Sequence, residues 1–489
     1  MTRFITICAL FVLTSIAVVC QADNDFDSRF TNATLRIDYH HTGAAGEEIV
    51  SLDRLFEEGP WPGPRVNLID NLDLGRYQAK LLDAETGELL WSRGFDSYFG
   101  EWKTTIPAAN GVRRTYHESI LTPFPRMPVT FVLESRDKDT FIEVFRVDID
   151  PATAEIRREP LDADITVIQA HVGCEPAQCV DVVILGDGYL ASDADKFEKD
   201  LQHFADALLG QEPFASLKHK MAVRGVLKPS QERGCDEPTR GVHRNTALGC
   251  TFNSLGSTRY MLTEDNRAIR DAASAAPYDV LSIMANHTRY GGGGIYNLFN
   301  TFTSDNQWSD YVFVHEFGHG FAGLADEYYS SSTAYTDFYP AGIEPAERNI
   351  TRMLDGKPKW CELLEPETGL PIDWNKAEYD AMDQAYQERR TEINARIAEL
   401  MTGNAPQDEI DAAIAAGEDL SRTHQEKLDA WFAANPTMGT VGAFEGAGYS
   451  SQGMYRAELD CIMFTKGLKR FCAACSAGIQ EVVANATDH

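Results

Sequence analysis

The sequence is short of positive charge. It carries 44 Lys and Arg against 74 Asp and Glu, a formal net charge of −30. Nucleic acid and anionic membrane are thereby excluded as partners, because no basic surface is available to neutralise phosphates. The plainer meaning of the acidic excess is solubility. Low-complexity runs and internal repeats are absent. After the first two dozen residues no apolar run is long enough to span a bilayer, so no membrane span is expected. Cys472-x-x-Cys475 has no second C-x-x-C beside it. A zinc knuckle or redox pair is therefore favoured less there than a structural disulfide.

What is present begins with a leader. Arg3 is the only charge before Asp23, an apolar run covers Phe4 to Val19, and Cys20-Gln21-Ala22 offers small residues for cleavage. Residues 1–22 read as a signal peptide, which makes the protein secreted or periplasmic. Its removal leaves eight cysteines, an even number that reads as disulfides in an exported chain. Cys174–Cys179 and Cys235–Cys250 are the expected near pairs. Cys361, Cys461, Cys472 and Cys475 would share two more bridges in an order that spacing does not give.

The 489 residues suffice for two or three domains. Residues 28–150 alternate apolar and polar positions, as in Leu35, Ile37 and Tyr39. Hairpins are expected around Asp83–Gly87 and Ser135–Asp139, so this part is predicted to be a small β-sandwich. His40-His41 is not a metal pair, because neighbours in a strand face opposite ways. Pro151–Pro160 reads as a linker. Residues 164–489 then switch to an α/β pattern: strands at Val180–Leu185, Met221–Leu227 and Asp279–Ala285, and a helix bearing Phe197, Leu201, Phe204 and Leu208 behind a Ser192-x-x-Asp195 capping box. Gly186-Asp187-Gly188 is a strand-to-helix turn rather than a phosphate loop, since it lacks a third glycine and any lysine. Residues 374–434 form a predicted helical hairpin inserted into this domain, broken at Asn404-Ala405-Pro406. The fold class is therefore α+β.

The stretch that carries chemistry is Val314-His315-Glu316-Phe317-Gly318-His319-Gly320-Phe321-Ala322-Gly323-Leu324-Ala325-Asp326-Glu327-Tyr328. On a helix, His315 and His319 project from one face a turn apart, a spacing that lets both imidazoles reach one Zn²⁺. Glu316, on the same turn, is placed to take a proton from water. A bare H-E-x-x-H occurs by chance on ordinary helices. Here an apolar run precedes it, Gly323 breaks the helix after it, and acidic ligands follow the break. Asp326 is expected as the third ligand. Glu327 would face the other way in an extended segment, and Glu445 is the distant rival. Gly291–Gly294 precedes the helix. Gly293, Gly294, Ile295 and Tyr296 are candidates for an edge strand that holds substrate backbone, against the alternative of a flexible glycine loop. Met463, in Asp460-Cys461-Ile462-Met463-Phe464, reads as a turn supporting the metal site from below, where a lone methionine would otherwise be core filler.

Together these residues resemble the IgA-peptidase family of secreted bacterial zinc metallopeptidases, which is metzincin-like. The resemblance rests on His315–His319 with Gly323–Tyr328, and extends to Ile184–Tyr189, Phe444–Tyr449 and Cys461-Ile462-Met463. It covers the chain from about Asp164 onward, and the β-rich N-terminal part is similar to the domain that precedes the catalytic domain in that family. Against the general metzincin pattern H-E-x-x-H-x-x-G-x-x-H/D, both Gly323 and Asp326 fall one residue late, and the helical hairpin is an addition. The resemblance implies a metzincin-like zinc peptidase acting on protein or peptide, and leaves the substrate open. Alternatives are a degenerate zincin that binds glycans or proteins at a surface, and another zinc hydrolase. Retention of Glu316 speaks against the first, since a structural zinc needs no base.

Overall fold

In the computed structural model, residues 26–329, 339–403 and 405–487 are described. The expected leader, residues 1–22, and Asn404 of the predicted hairpin break lie outside them. The N-terminal part follows its alternation. Strands β1 (Phe30–Ala44), β2 (Glu47–Glu58), β3 (Tyr77–Asp83), β4 (Leu89–Phe95), β5 (Arg114–Pro125), β6 (Val129–Asp137), β7 (Thr140–Ile149) and β8 (Ile156–Arg157) make two four-stranded sheets, ordered β5-β1-β2-β8 and β4-β3-β6-β7. Their inward residues, among them Leu35, Ile37, Tyr39, Ala79, Leu81, Phe131 and Leu133, close over one core. Pleating separates the adjacent histidines as expected. His41 is buried between Glu118 and Glu48, at 2.9 Å from each, whereas His40 is half-exposed. The segment Pro151–Pro160 is not a plain linker, because β8 within it pairs in parallel with β2.

The second sheet system has the order β13-β14-β12-β10-β11-β9, from β9 (Thr166–Val172), β10 (Val180–Asp187), β11 (Met221–Leu227), β12 (Val280–Ala285), β13 (Gly292–Ile295) and β14 (Phe299–Thr303). The four inner strands run parallel, and β9 and β13 are antiparallel edges. Every residue of β10 is buried, which is why its sequence reads as a continuous apolar run rather than an alternation. One face is covered by helix Ala194–Leu209 and by the helix that carries the histidines, Ser309–Ala322. The other face packs against Tyr98, Phe99 and Trp102 of the N-terminal part, so the two parts share a core. Helix Ala194–Leu209 does not start on the predicted capping box. A short turn precedes it, and Asp193, rather than Ser192, accepts the Leu190 N–H at 3.0 Å while pairing with Arg233.

The inserted hairpin is present as helices Lys376–Thr402 and Gln407–Ala434. Trp374, Tyr379 and Phe432 dock its base against Phe464, and Tyr386 stacks on His424 at 4.0 Å. A small sheet, β15 (Ile350–Thr351), β16 (Phe444–Ala447) and β17 (Ser450–Arg456), lies beneath it, and helix Ala473–Thr487 ends the described chain. Cys174–Cys179 is a disulfide. The other expected bridges are not formed. Cys235 and Cys250 are free thiols buried in one apolar cluster, where a cysteine serves as a small hydrophobe. Cys361 is exposed, while Cys461, Cys472 and Cys475 are free and buried together.

Two outcomes follow. A Cβ at Gly294 would lie 2.6 Å from the Glu316 carbonyl oxygen and 2.8 Å from His319 Cβ, so only glycine lets β13 lie against the histidine helix. Gly294→Ala should cost about 1–3 kcal/mol in urea unfolding through overpacking. Gly46→Ala, in open space, should stay within about 0.5 kcal/mol. The second concerns acid. Burial alone would raise the Glu48 carboxyl, but hydrogen bonds and charge from His41 and Lys103 outweigh it and hold it at about 2, below its usual 4.5. A depressed carboxyl contributes stability that is complete above the unfolded value and lost as pH falls through the folded one. Wild type should therefore lose more stability than Glu48→Gln between those two values, measured as urea midpoints at the two ends of the window.

Candidate active site

Helix Ser309–Ala322 is apolar on most of its surface, and Tyr311, Val312, Phe313, Val314, Phe317 and Phe321 are buried. Its C-cap Gly323 adopts a left-handed conformation (φ 57°, ψ 34°), with Gly323 N–H donating to the His319 carbonyl and Leu324 N–H to that of Gly318. This Schellman-type ending satisfies the last carbonyls and reverses the chain. The reversal brings Asp326 back over the helix. His315 Nε2 and His319 Nε2 are 3.2 Å apart, and Asp326 Oδ1 lies 3.1 Å from the first and 3.2 Å from the second.

The outer nitrogens are spoken for. Ile462 O accepts from His315 Nδ1 at 3.0 Å, and Leu324 O accepts from His319 Nδ1 at 2.5 Å. A carbonyl only accepts, so both Nδ1 atoms carry protons and both Nε2 lone pairs face the carboxylate oxygen. Three electron-rich atoms aimed at one point repel unless a cation sits among them. A tetrahedral ion with ligands at about 2.0–2.1 Å requires edges of about 3.4 Å between them, close to the triangle observed. Without an ion, a proton takes its place. Burial lowers the His319 imidazole, but the Asp326 charge and hydrogen bond outweigh this and raise it to about 9. Burial would raise Asp326, yet the histidines hold it well below the usual carboxylate range. The donor set fits a divalent cation.

Other residues support this triangle. The Tyr449 hydroxyl donates to Asp326 Oδ2, and the Met463 sulfur lies beneath the helix, 3.2 Å from where a Cβ on Gly318 would be. Glu316 is on the cleft side, with Oε2 near Gly294. Burial pushes its carboxyl up, the two histidines pull it down, and Asp326 adds to the rise; the net shift is upward. Of the candidate substrate residues, Gly294 and Tyr296 line the cleft, whereas Ile295 is buried in the core and Gly293 lies under Tyr260. The β13 edge is partly occupied, because Met261 N–H donates to Gly292 O. Glu445 is not grouped with the histidine ligand atoms; its Oε1 accepts from Gly453 N–H. Glu327 faces away from Asp326, into the cysteine group.

The triangle opens on a cleft of about 1390 Å³ whose walls come from three parts of the chain: the N-terminal sheets, the β13 edge with its flanking loops, and the helical hairpin. Arg259, Arg390 and Lys466 line it among Tyr290, Tyr311 and Tyr386. Sequence reading missed these cations, because no local pattern marks residues from three distant segments.

The family model described as IgA peptidase M64 matches residues 168–483, and that of the peptidase M64 N-terminus matches residues 25–146. The chain belongs to the IgA peptidase M64 family. A search of curated proteins gave no match. Membership makes the chain a peptidase, with protein as its substrate class and a metal ion as the cofactor to which the family points. No helix among the described residues is long and apolar enough to cross a membrane.

The triangle makes a graded expectation for metal affinity, measured by competition with a chromogenic chelator. Tyr449→Phe removes an outer hydrogen bond and should weaken binding about 10–100-fold. Asp326→Ala should weaken it further, and Glu445→Ala should leave it unchanged. A site emptied by Glu445→Ala but not by Asp326→Ala would contradict this ligand set.

Proposed function

We propose that this M64 peptidase is an exported zinc endopeptidase of metzincin-like design, with His315, His319 and Asp326 holding the metal and Glu316 as general base. The observation that carries the reading is the triangle of two Nε2 atoms and one carboxylate oxygen, 3.1–3.2 Å on a side, set in the wall of a cleft beside Glu316. Zinc held by these three residues would supply Lewis acidity to a peptide carbonyl and acidity to a water. Glu316 takes the proton from that water and returns it to the departing amine. An upward shift of its carboxyl suits both halves of that cycle, since a base nearer neutrality also gives its proton back readily. Met463 supports the helix from below at Gly318, and the glycines of β13 let the strand approach from the side.

Zinc is favoured over harder ions by its two imidazole ligands. A cleft walled by three parts of the chain suits an extended polypeptide more than a small ligand, whose pockets are usually under about 1,000 Å³. Export is supported by the leader pattern of residues 1–22 and by the Cys174–Cys179 disulfide.

Glu316→Gln decides between hydrolysis and a binding role. The variant should keep its metal and its unfolding midpoint, yet cleave a mixed peptide library roughly 10²–10⁴-fold more slowly. New termini mapped by mass spectrometry should fall inside peptides rather than one residue from an end. Cleavage within a few-fold of wild type would assign the proton transfer to another group.

A further inference from the structure

A second group of ligands lies behind the first. The sulfurs of Cys461, Cys472 and Cys475 and a carboxylate oxygen of Glu327 are all within 4.8 Å of one another, and all four residues are buried. We propose that they form a second metal site, a closed structural one that takes zinc. It does not depend on the catalytic reading above.

The spacing carries the argument. Zinc–sulfur bonds of about 2.3 Å in a tetrahedron set sulfur–sulfur edges of about 3.8 Å, and sulfur–oxygen edges of about 3.5 Å. Cys461 Sγ and Cys475 Sγ are 3.8 Å apart, and Glu327 Oε1 lies 3.4 Å from Cys472 Sγ and 3.2 Å from Cys475 Sγ. The backbone offers N–H donors to two of the three sulfurs, Cys461 Sγ and Cys472 Sγ. Met463 and Cys472 N–H groups donate to Cys461 Sγ at 3.5 and 3.2 Å, and Cys475 N–H donates to Cys472 Sγ at 3.4 Å. A neutral thiol is a weak acceptor and collects such donors poorly. Cys472 directly precedes helix Ala473–Thr487 and Cys475 sits in its first turn. Glu327 is fully buried, and its Oε2 has no hydrogen-bond partner.

Three thiolates and one carboxylate give a soft, four-ligand shell with no open position, as in structural zinc sites. The carboxylate argues against copper(I), and the single C-x-x-C with one distant cysteine against a cluster needing four sulfurs. Three thiols would shed three protons on loading, leaving a net charge of −2, with Arg470 within range to offset it. The placement gives the site its purpose. Glu327 follows Asp326, its N–H donates to Met463 O at 2.8 Å, and Cys461 lies two residues before Met463. One ion would tie together the segment bearing Asp326, the turn under the histidine helix and the C-terminal helix.

The test uses the full chain loaded with cobalt(II), which reports thiolate ligation by charge-transfer absorption in the near ultraviolet. Wild type should show this band and bind about two equivalents of metal. The His315→Ala, His319→Ala double variant should keep the band and about one equivalent, while Cys472→Ser with Cys475→Ser should lose the band. Wild type decides the matter even if the cysteine variant does not fold. No thiolate band in cobalt-loaded wild type, or a disulfide between any two of the three cysteines in a peptide map of the native protein, would overturn the site. A double variant that still held both metals would contradict the catalytic ligands alone, since the band would remain.

Discussion

The catalytic half is organised around one buried carboxylate held against two imidazoles. Asp326 is shielded from water, so its charge interacts strongly with His315 and His319, and the arrangement is stable only if positive charge is shared among them. Each neighbouring element serves that requirement. Gly323 ends the helix one residue later than the general metzincin pattern, and its left-handed cap returns Asp326 to the histidine face. Carbonyls of Leu324 and Ile462 fix both rings, and Tyr449 fixes the far carboxylate oxygen. Asn349 bonds the Ala325 N–H and carbonyl on either side, so the return strand has no freedom to slide.

The cleft is lined by charges of both signs. The chain is strongly acidic, yet the cleft above the triangle carries Arg259, Arg390 and Lys466. Burial, with Arg390 and Arg259 adding to it, pushes the Lys466 ammonium down, and its Nζ lies over the rings of Tyr290 and Trp308, 4.5 and 5.9 Å from their centroids. Net charge governs solubility and non-specific association; the potential in a cleft follows from the few groups that line it. The helical hairpin contributes here as a wall. Tyr379 and Leu400 of its first helix are buried in packing, while Arg390 and Tyr386 of the same helix reach the cleft.

Features carried by local pattern were legible in the sequence. The histidine helix, its glycine stop, the β3–β4 and β6–β7 hairpins and the fully buried β10 each depend on residues a few positions apart, where period and turn chemistry are decisive. Features set by distant approach were not. Ser192 had the right spacing for a cap, but Arg233, brought in from another loop, pairs with Asp193 and the turn tightens around that residue. Even cysteine count suggested bridges, yet counting cannot tell that Cys461 meets both Cys472 and Cys475 while Cys361 stays apart at the surface. Strand alternation says only that Glu327 faces away from Asp326; what it faces is a matter of tertiary packing.

His315, His319 and Asp326 are proposed to share one zinc ion. Anomalous diffraction from crystals of the zinc-loaded protein, collected on both sides of the zinc absorption edge, tests it most directly. An edge-dependent peak is expected about 2.0–2.2 Å from His315 Nε2, His319 Nε2 and an Asp326 oxygen. A map with no such peak between these three side chains, or one in which Asp326 is turned away and another residue completes the shell, would contradict it.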